Sequence, residues 1–245
     1  MNRIRTFLAS ISAPEAAPPW SLTTAIIAVI VAFIIMIIST GVVFVWANAQ
    51  PWTELAGWTL GGLVIILFVW QTRRRDWDGL RMNTPRTPIL FVMFIALGSA
   101  IALDLVSLGV TNQFFAAPEL QYLNPNALGV LEWVLAIGFM AILQPIAEEL
   151  IFRGMLLPTL RTRLSSWGSI LVTAVITGAF HYLIYPMTSI SPLTPIWYGL
   201  AIPIIEAIIF GMVRNSTQST RAAIAAHIAF GLFAVIKLLT LTGQG

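Results

Sequence analysis

Seven long apolar runs fill this chain, at about residues 22–46, 56–71, 88–110, 127–160, 166–185, 196–213 and 222–242. About 20 apolar residues in helical form cross a hydrocarbon core of about 30 Å, and in lipid every backbone N–H and C=O must be paired within its own segment. The chain therefore reads as an all-α, polytopic transmembrane helical bundle of about seven to eight spans. Only 9% of its 245 residues are charged. A soluble domain carries about a quarter, so neither a water-soluble globule nor a disordered chain is compatible with this sequence. There is no cysteine, which excludes a thiol protease, a disulfide framework and Cys-ligated zinc. The first run is longer than the 7–15 apolar residues or so of a signal peptide. It is expected to remain as a spanning helix, although Ala47-Asn48-Ala49-Gln50 resembles a signal-peptidase site.

The basic residues set the expected organisation. Eleven of the 13 fall in four places: residues 3–5, 73–86, 161–163 and 214–221. Segments 47–55, 111–126 and 186–195 hold none. This alternation is what the positive-inside rule gives for a cytoplasmic N-terminus and an external C-terminus. It divides the chain into a cytoplasmic N-terminal segment (1–21), N-terminal transmembrane helices and loops (22–126) and a C-terminal membrane domain (127–242). The sequence pI of about 9.8 is no nucleic-acid signal, because the arginines sit between apolar runs. The expected location is a cell membrane, multi-pass, of the bacterial inner or plasma membrane type, and the lipid bilayer is the first partner. The run at 127–160 is too long for one straight crossing. Proline removes a helical hydrogen bond and clashes with the preceding turn, so Gln144-Pro145 marks a kink or a break.

An ionisable side chain at membrane depth is a functional candidate by default. Asp104, Glu132, Glu148, Glu149, Arg153, His181, Glu206, His227 and Lys237 qualify. Lys237 is expected to snorkel to the nearby outer face, and Glu132 to reach the interface. Asp104 and Glu206 read as hydrogen-bond partners within the bundle or as the lining of a water-filled cavity. The string Glu148-Glu149-Leu150-Ile151-Phe152-Arg153 concentrates three charges in six residues. On a helix Glu149 and Arg153 face each other. Glu148 is rotated about 100° away and has no local partner, which suits a general base for activating water. The only two histidines, His181 and His227, both lie in apolar runs. Imidazole can hold a water, donate to an oxyanion or bind a metal. Counted from the expected inner ends at about 1.5 Å per residue, however, Glu148, His181 and His227 stand at about 20, 24 and 9 Å depth.

These residues resemble the CPBP intramembrane proteases, also called CAAX prenyl protease type II or Abi-like proteins. The motif E-E-x-x-x-R stands as Glu148 through Arg153, preceded by Gln144-Pro145 and followed by Gly154. His181 matches the histidine of F-x-x-x-H, with Thr177 at the aromatic position. His227 matches the histidine of H-x-x-x-N, with Gly231 at the asparagine position. The resemblance covers about residues 127–242. It implies an intramembrane endopeptidase that hydrolyses a peptide bond of a membrane-associated peptide or protein with a glutamate-activated water. Its catalytic residues would be Glu148, Glu149, Arg153, His181 and His227. Glu148 would be the base and His181 would help hold the water. His227 and the family asparagine would stabilise the oxyanion, while Glu149 and Arg153 support them. Two histidines and a carboxylate also suffice to bind a divalent metal such as zinc, so Glu148, His181 and His227 stand as a candidate metal set. Gly231 has no side chain to donate, with Asn215, a backbone N–H or a water as possible substitutes. The alternative is a catalytically weak or inactive relative: a membrane scaffold, an immunity factor or a subunit of a membrane complex.

Overall fold

Each apolar run forms a helix whose ends are set by local chemistry. The computed structural model describes residues 2–48, 50–187, 189 and 191–241. Ala49, in the stretch that resembles a cleavage site, and Thr242, at the end of the last run, lie outside them. The helices are α1 (Asn2–Ile11), α2 (Leu22–Ala47), α3 (Thr53–Arg73), α4 (Ile89–Thr111), α5 (Val130–Leu160), α6 (Ser166–Ile184), α7 (Leu193–Thr217) and α8 (Thr220–Thr240). The last seven are long and apolar enough to cross a membrane, and no strand occurs among the described residues. Ser21 and Ser165 cap α2 and α6, each accepting a hydrogen bond from the backbone N–H three residues on and so satisfying an orphan donor. Asn48, Asn112 and Gln218 close α2, α4 and α7 in the left-handed conformation. The short second run gains polar ends, Thr53-Glu54 and Gln71-Thr72-Arg73, and so becomes a full span of 21 residues.

The long fourth run is one helix of 31 residues, not two. Its backbone widens to π-helical turns at Phe139–Leu143 and Leu150–Leu156, and α7 does the same at Trp197–Ala201. In each case a proline follows two residues later: Pro145, Pro158 and Pro203. Proline cannot donate to the carbonyl four residues back and collides with it. A wider turn just before it lets the helix continue, and such turns recur at functional sites.

The arginine-bearing segments meet at one end of the bundle. Arg161 and Arg214 bind the carboxylate of Glu15 at 2.7 and 2.6 Å, and Arg81 approaches it at 3.4 Å. The N-terminal segment, the α3–α4 and α5–α6 linkers and the end of α7 therefore share a side, as the charge pattern requires. Residues 12–20 are docked on the bundle. Trp20 Nε1 donates to the Met155 carbonyl at 3.2 Å, and Ile11 is buried against Leu157 and Ile170. At the opposite end Tyr122 OH donates to the Pro186 carbonyl at 3.2 Å, tying the α4–α5 segment to the end of α6. Of the seven spans α8 is the most buried and α4 the least. Ile27, Ile30, Ile34 and Ile37 of α2 and Phe91, Phe94 and Leu105 of α4 point outward, the pattern of a lipid-facing surface.

Candidate active site

Glu148 and Glu149 occupy the short α-helical turn of α5 between its two π-helical stretches. Glu149 Oε1 pairs with Arg153 Nη1 at 3.0 Å, and both side chains are fully buried. Arg153 Nη2 also donates to the Ala207 carbonyl of α7 at 2.9 Å. The guanidinium lies 5.5 Å from the centre of the Phe210 ring. His227 Nδ1 approaches the same Glu149 oxygen at 3.1 Å, and its ring stacks on Phe210 at 4.7 Å and 20°. A carboxylate already paired with a guanidinium accepts, so Nδ1–H donates, which leaves Nε2 of His227 uncommitted. The intrahelical pair read from the sequence thus also fixes the second histidine.

Glu148 differs from the expectation of a carboxylate without a local partner. Its Oε1 accepts from Gln144 Nε2 and from Tyr185 OH, both at 3.1 Å, and its Oε2 lies 2.8 Å from His181 Nε2. Gln144 comes from one turn back along α5, and Tyr185 and His181 from the end of α6, which periodicity along α5 alone does not reveal. Tyr185 is held edge-on against Trp58 at 5.0 Å and Phe139 at 6.0 Å. The other nitrogen of His181, Nδ1, lies 3.4 Å from Glu119 Oε1, which also accepts from Gln144 Nε2 at 3.1 Å.

The depth mismatch disappears. Both histidines reach the acid pair, His181 at Glu148 and His227 at Glu149. The start of α8 is covered by the α3–α4 linker: Thr220 N donates to the Arg81 carbonyl at 2.9 Å and Ser219 Oγ to that of Asn83 at 2.7 Å. A count from Arg221 along α8 therefore does not decide whether His227 meets the acids; the packing of α8 on α5 does.

A cavity of about 740 Å³, mouth included, adjoins this cluster. Glu119, Gln144, His181, Glu206 and His227 stand on its polar side, and Phe115, Tyr198, Phe230 and Phe233 are among its apolar walls. Glu148, 4% exposed, sits just behind His181 and Gln144. Glu206 faces the cavity, as one of the two readings of that residue expects. Asp104 and Lys237 line it too, as an ion pair, with the ammonium over the Phe114 and Tyr198 rings. The snorkelling expected of Lys237 is thereby corrected, since its ammonium is buried and pairs with a carboxylate of α4. Glu132 stays in the first turn of α5.

Neither departure from the family motifs is compensated by a side chain. Gly231 packs on the π-helical turn of α5, where a Cβ would overlap the Met140 carbonyl oxygen. Asn215 is at the arginine end, accepting from Arg161 Nη1 at 3.2 Å, and so is no substitute. Thr177 donates to the Thr173 carbonyl within its own helix. Glu148, His181 and His227 do not converge on a common point in the way a metal needs. Both nitrogens of His181 face carboxylates, Nδ1 of His227 is taken by Glu149, and no group of three or more such donors among the described residues has the arrangement to hold an ion.

Sequence reasoning missed Glu119, Gln144 and Tyr185 as partners. Two had a signal: Gln144 lies four residues before Glu148, and Tyr185 four after His181, so each shares a helix face with its neighbour. Glu119 had only its isolation, as the one charged residue between Asp104 and Glu132.

A multi-pass helical membrane protein with a buried carboxylate–imidazole cluster beside a cavity between its helices is the class these features define. Residues 130–233 match the family model described as Type II CAAX prenyl endopeptidase Rce1-like. This stretch, which carries both acids, Arg153 and both histidines, is thus similar to the CPBP/CAAX proteases. At the level of that family the activity is a CAAX-type intramembrane endopeptidase. No curated protein and no solved structure matches the chain significantly.

Proposed function

We propose that this protein is an intramembrane endopeptidase in which Glu148, set by His181, activates the attacking water. The observation that carries the reading is the 2.8 Å contact between Glu148 Oε2 and His181 Nε2, beside a cavity within the bundle. A water on Glu148 would give up a proton to the carboxylate as its oxygen attacks the peptide carbonyl carbon. The tetrahedral oxyanion would be met by His227, whose ring is locked by Glu149 and Phe210 and whose Nε2, when protonated, donates. The proton held on Glu148 would pass to the leaving nitrogen as the C–N bond breaks, giving a carboxylic acid and an amine. Glu149 and Arg153 hold His227 and tie α5 to α7. The residues present do not fit a metal, and no step passes through one. The substrate is proposed to be a peptide presented from the membrane, and the host a cell membrane with the arginine-bearing end in the cytoplasm.

The second reading, a scaffold or complex subunit with little or no activity, is favoured by one feature: Gly231 occupies the family asparagine position. A lost oxyanion donor costs roughly 10²–10³ in rate. The two readings separate in one assay. Purified protein in proteoliposomes is presented with fluorogenic peptides, with and without a prenylated C-terminal cysteine motif. The expected result is slow cleavage that falls by about 10²-fold or more in Glu148→Gln and persists after dialysis against a chelator. Cleavage by Glu148→Gln at the wild-type rate would exclude the base role. A chelator-sensitive rate restored by zinc would bring a metal into the site. No cleavage by wild type across the panel would favour the scaffold.

A further inference from the structure

We infer that Glu119, from the segment between α4 and α5, is a positioning residue that keeps a proton on Nδ1 of His181 and makes that segment part of the site. Glu119 lies outside the stretch that matches the family model, 130–233. It is 5% exposed, and its partners are Gln144 Nε2 at 3.1 Å and His181 Nδ1 at 3.4 Å. A buried carboxylate is costly unless it is paired and hydrogen-bonded, and neither partner is a lysine or arginine, so its burial makes physical sense through the site.

The turn that carries it is built rather than loose. Pro118 and Leu120 on either side are buried. Gln121 and Tyr122 both donate to the Pro186 carbonyl. The turn is therefore clamped to the end of α6, the same end that presents His181 and Tyr185.

The chemistry follows from a ring held between two carboxylates. A neutral imidazole has one N–H and one bare nitrogen. With Glu119 facing Nδ1 and Glu148 bonded at Nε2, a carboxylate stands at each nitrogen, so the ring carries a proton on both: Nε2–H donates to Glu148 and Nδ1–H points to Glu119. Without Glu119, only the Nε2–H at Glu148 remains, Nδ1 is bare, and the ring no longer brings a positive charge beside the carboxylate that is to receive the proton of the water. Gln144 bridges the two carboxylates, donating to both, so a change at Glu119 reaches Glu148 by two routes.

The kinetic consequence rests on the peptidase reading, but the protonation of Nδ1 does not. The chain has two histidines, so ¹⁵N-histidine labelling gives two ring systems, assigned with His227→Gln. At one fixed pH, Nδ1 of His181 is expected to be protonated in wild type and in Glu119→Gln, whose amide oxygen still accepts. It is expected to be bare in Glu119→Leu. Where the leucine variant does not accumulate as folded protein, Glu119→Met of similar volume replaces it. In the peptidase assay Glu119→Leu is expected to lose roughly tenfold or more in kcat with KM little changed, and Glu119→Gln to recover most of it. Nδ1 equally protonated in all three proteins, or glutamine and leucine equally impaired, would overturn the inference. Nitrogen signals as expected, in a protein that cleaves no peptide, would uphold the positioning role and sink the peptidase reading alone.

Discussion

Gly231 shows how a single side chain position is decided by backbone contact. At this point α8 meets the π-helical turn of α5 so closely that a Cβ would overlap the Met140 carbonyl oxygen. Restoring the family asparagine is therefore not a gain of a donor but an insertion into packed backbone. Gly231→Ala is expected to destabilise by about 1–3 kcal/mol, the usual cost of overpacking, measured as a lower midpoint of thermal unfolding in detergent. Gly231→Asn is expected to cost more and to leave peptide cleavage no faster than wild type. A faster Gly231→Asn enzyme would mean that the two helices separate easily and that the missing donor had been limiting. Legibility at this scale followed rarity. Glu148, Glu149, Arg153, His181 and His227 could be read because charged groups inside apolar runs are few, and the fold brings all five together. Glu119 could not, because a carboxylate in a segment between spans looks solvated until coordinates show it buried. Lys237 was misread because its partner, Asp104, lies 133 positions away in sequence.

Proline spacing organises the elements around the site. Pro145, Pro158 and Pro203 each follow a π-helical turn, and the first two such turns flank Glu148-Glu149. A disturbance of the helix at Gln144-Pro145 was foreseeable from proline chemistry. Continuity was not, because the choice between interruption and a widened turn depends on packing that the local sequence does not contain. The N-terminal segment carries the other lesson of this scale. Its sequence reads as a polar cytoplasmic segment, yet the side chain of Glu15 is buried as the shared partner of Arg81, Arg161 and Arg214. Removing one member of a buried charge group leaves the others unpaired, at a cost of about 3–5 kcal/mol. Glu15→Ala is accordingly expected to lower the unfolding midpoint strongly while cleavage per folded molecule stays near wild type, because the Glu15 cluster is separate from the acid–histidine cluster. An unchanged midpoint would show that the three arginines find other partners, and that the docked segment adds little.

Across the whole molecule, charge and cavity point to opposite ends. The arginine-bearing segments gather around Glu15, and the positive-inside rule assigns that end to the cytoplasm. The cavity involves the other half of the bundle: it is lined by Asp104 and Ser107 near the end of α4, by Phe115 and Glu119 beyond it, and by Lys237 near the end of α8. A substrate would then approach from the arginine-free side or from the bilayer beside it. Because the chain has no cysteine, sidedness can be read with single thiols and no background. In intact cells, Gln113→Cys, exposed in the arginine-free segment, is expected to react with a membrane-impermeant maleimide. Arg75→Cys, exposed at the other end, is expected to react only after permeabilisation. Ala117→Cys, at the cavity wall, is expected to follow Gln113→Cys and to be protected by a bound peptide. Labelling of Arg75→Cys in intact cells would invert the molecule, and with it the compartment from which a peptide reaches Glu148.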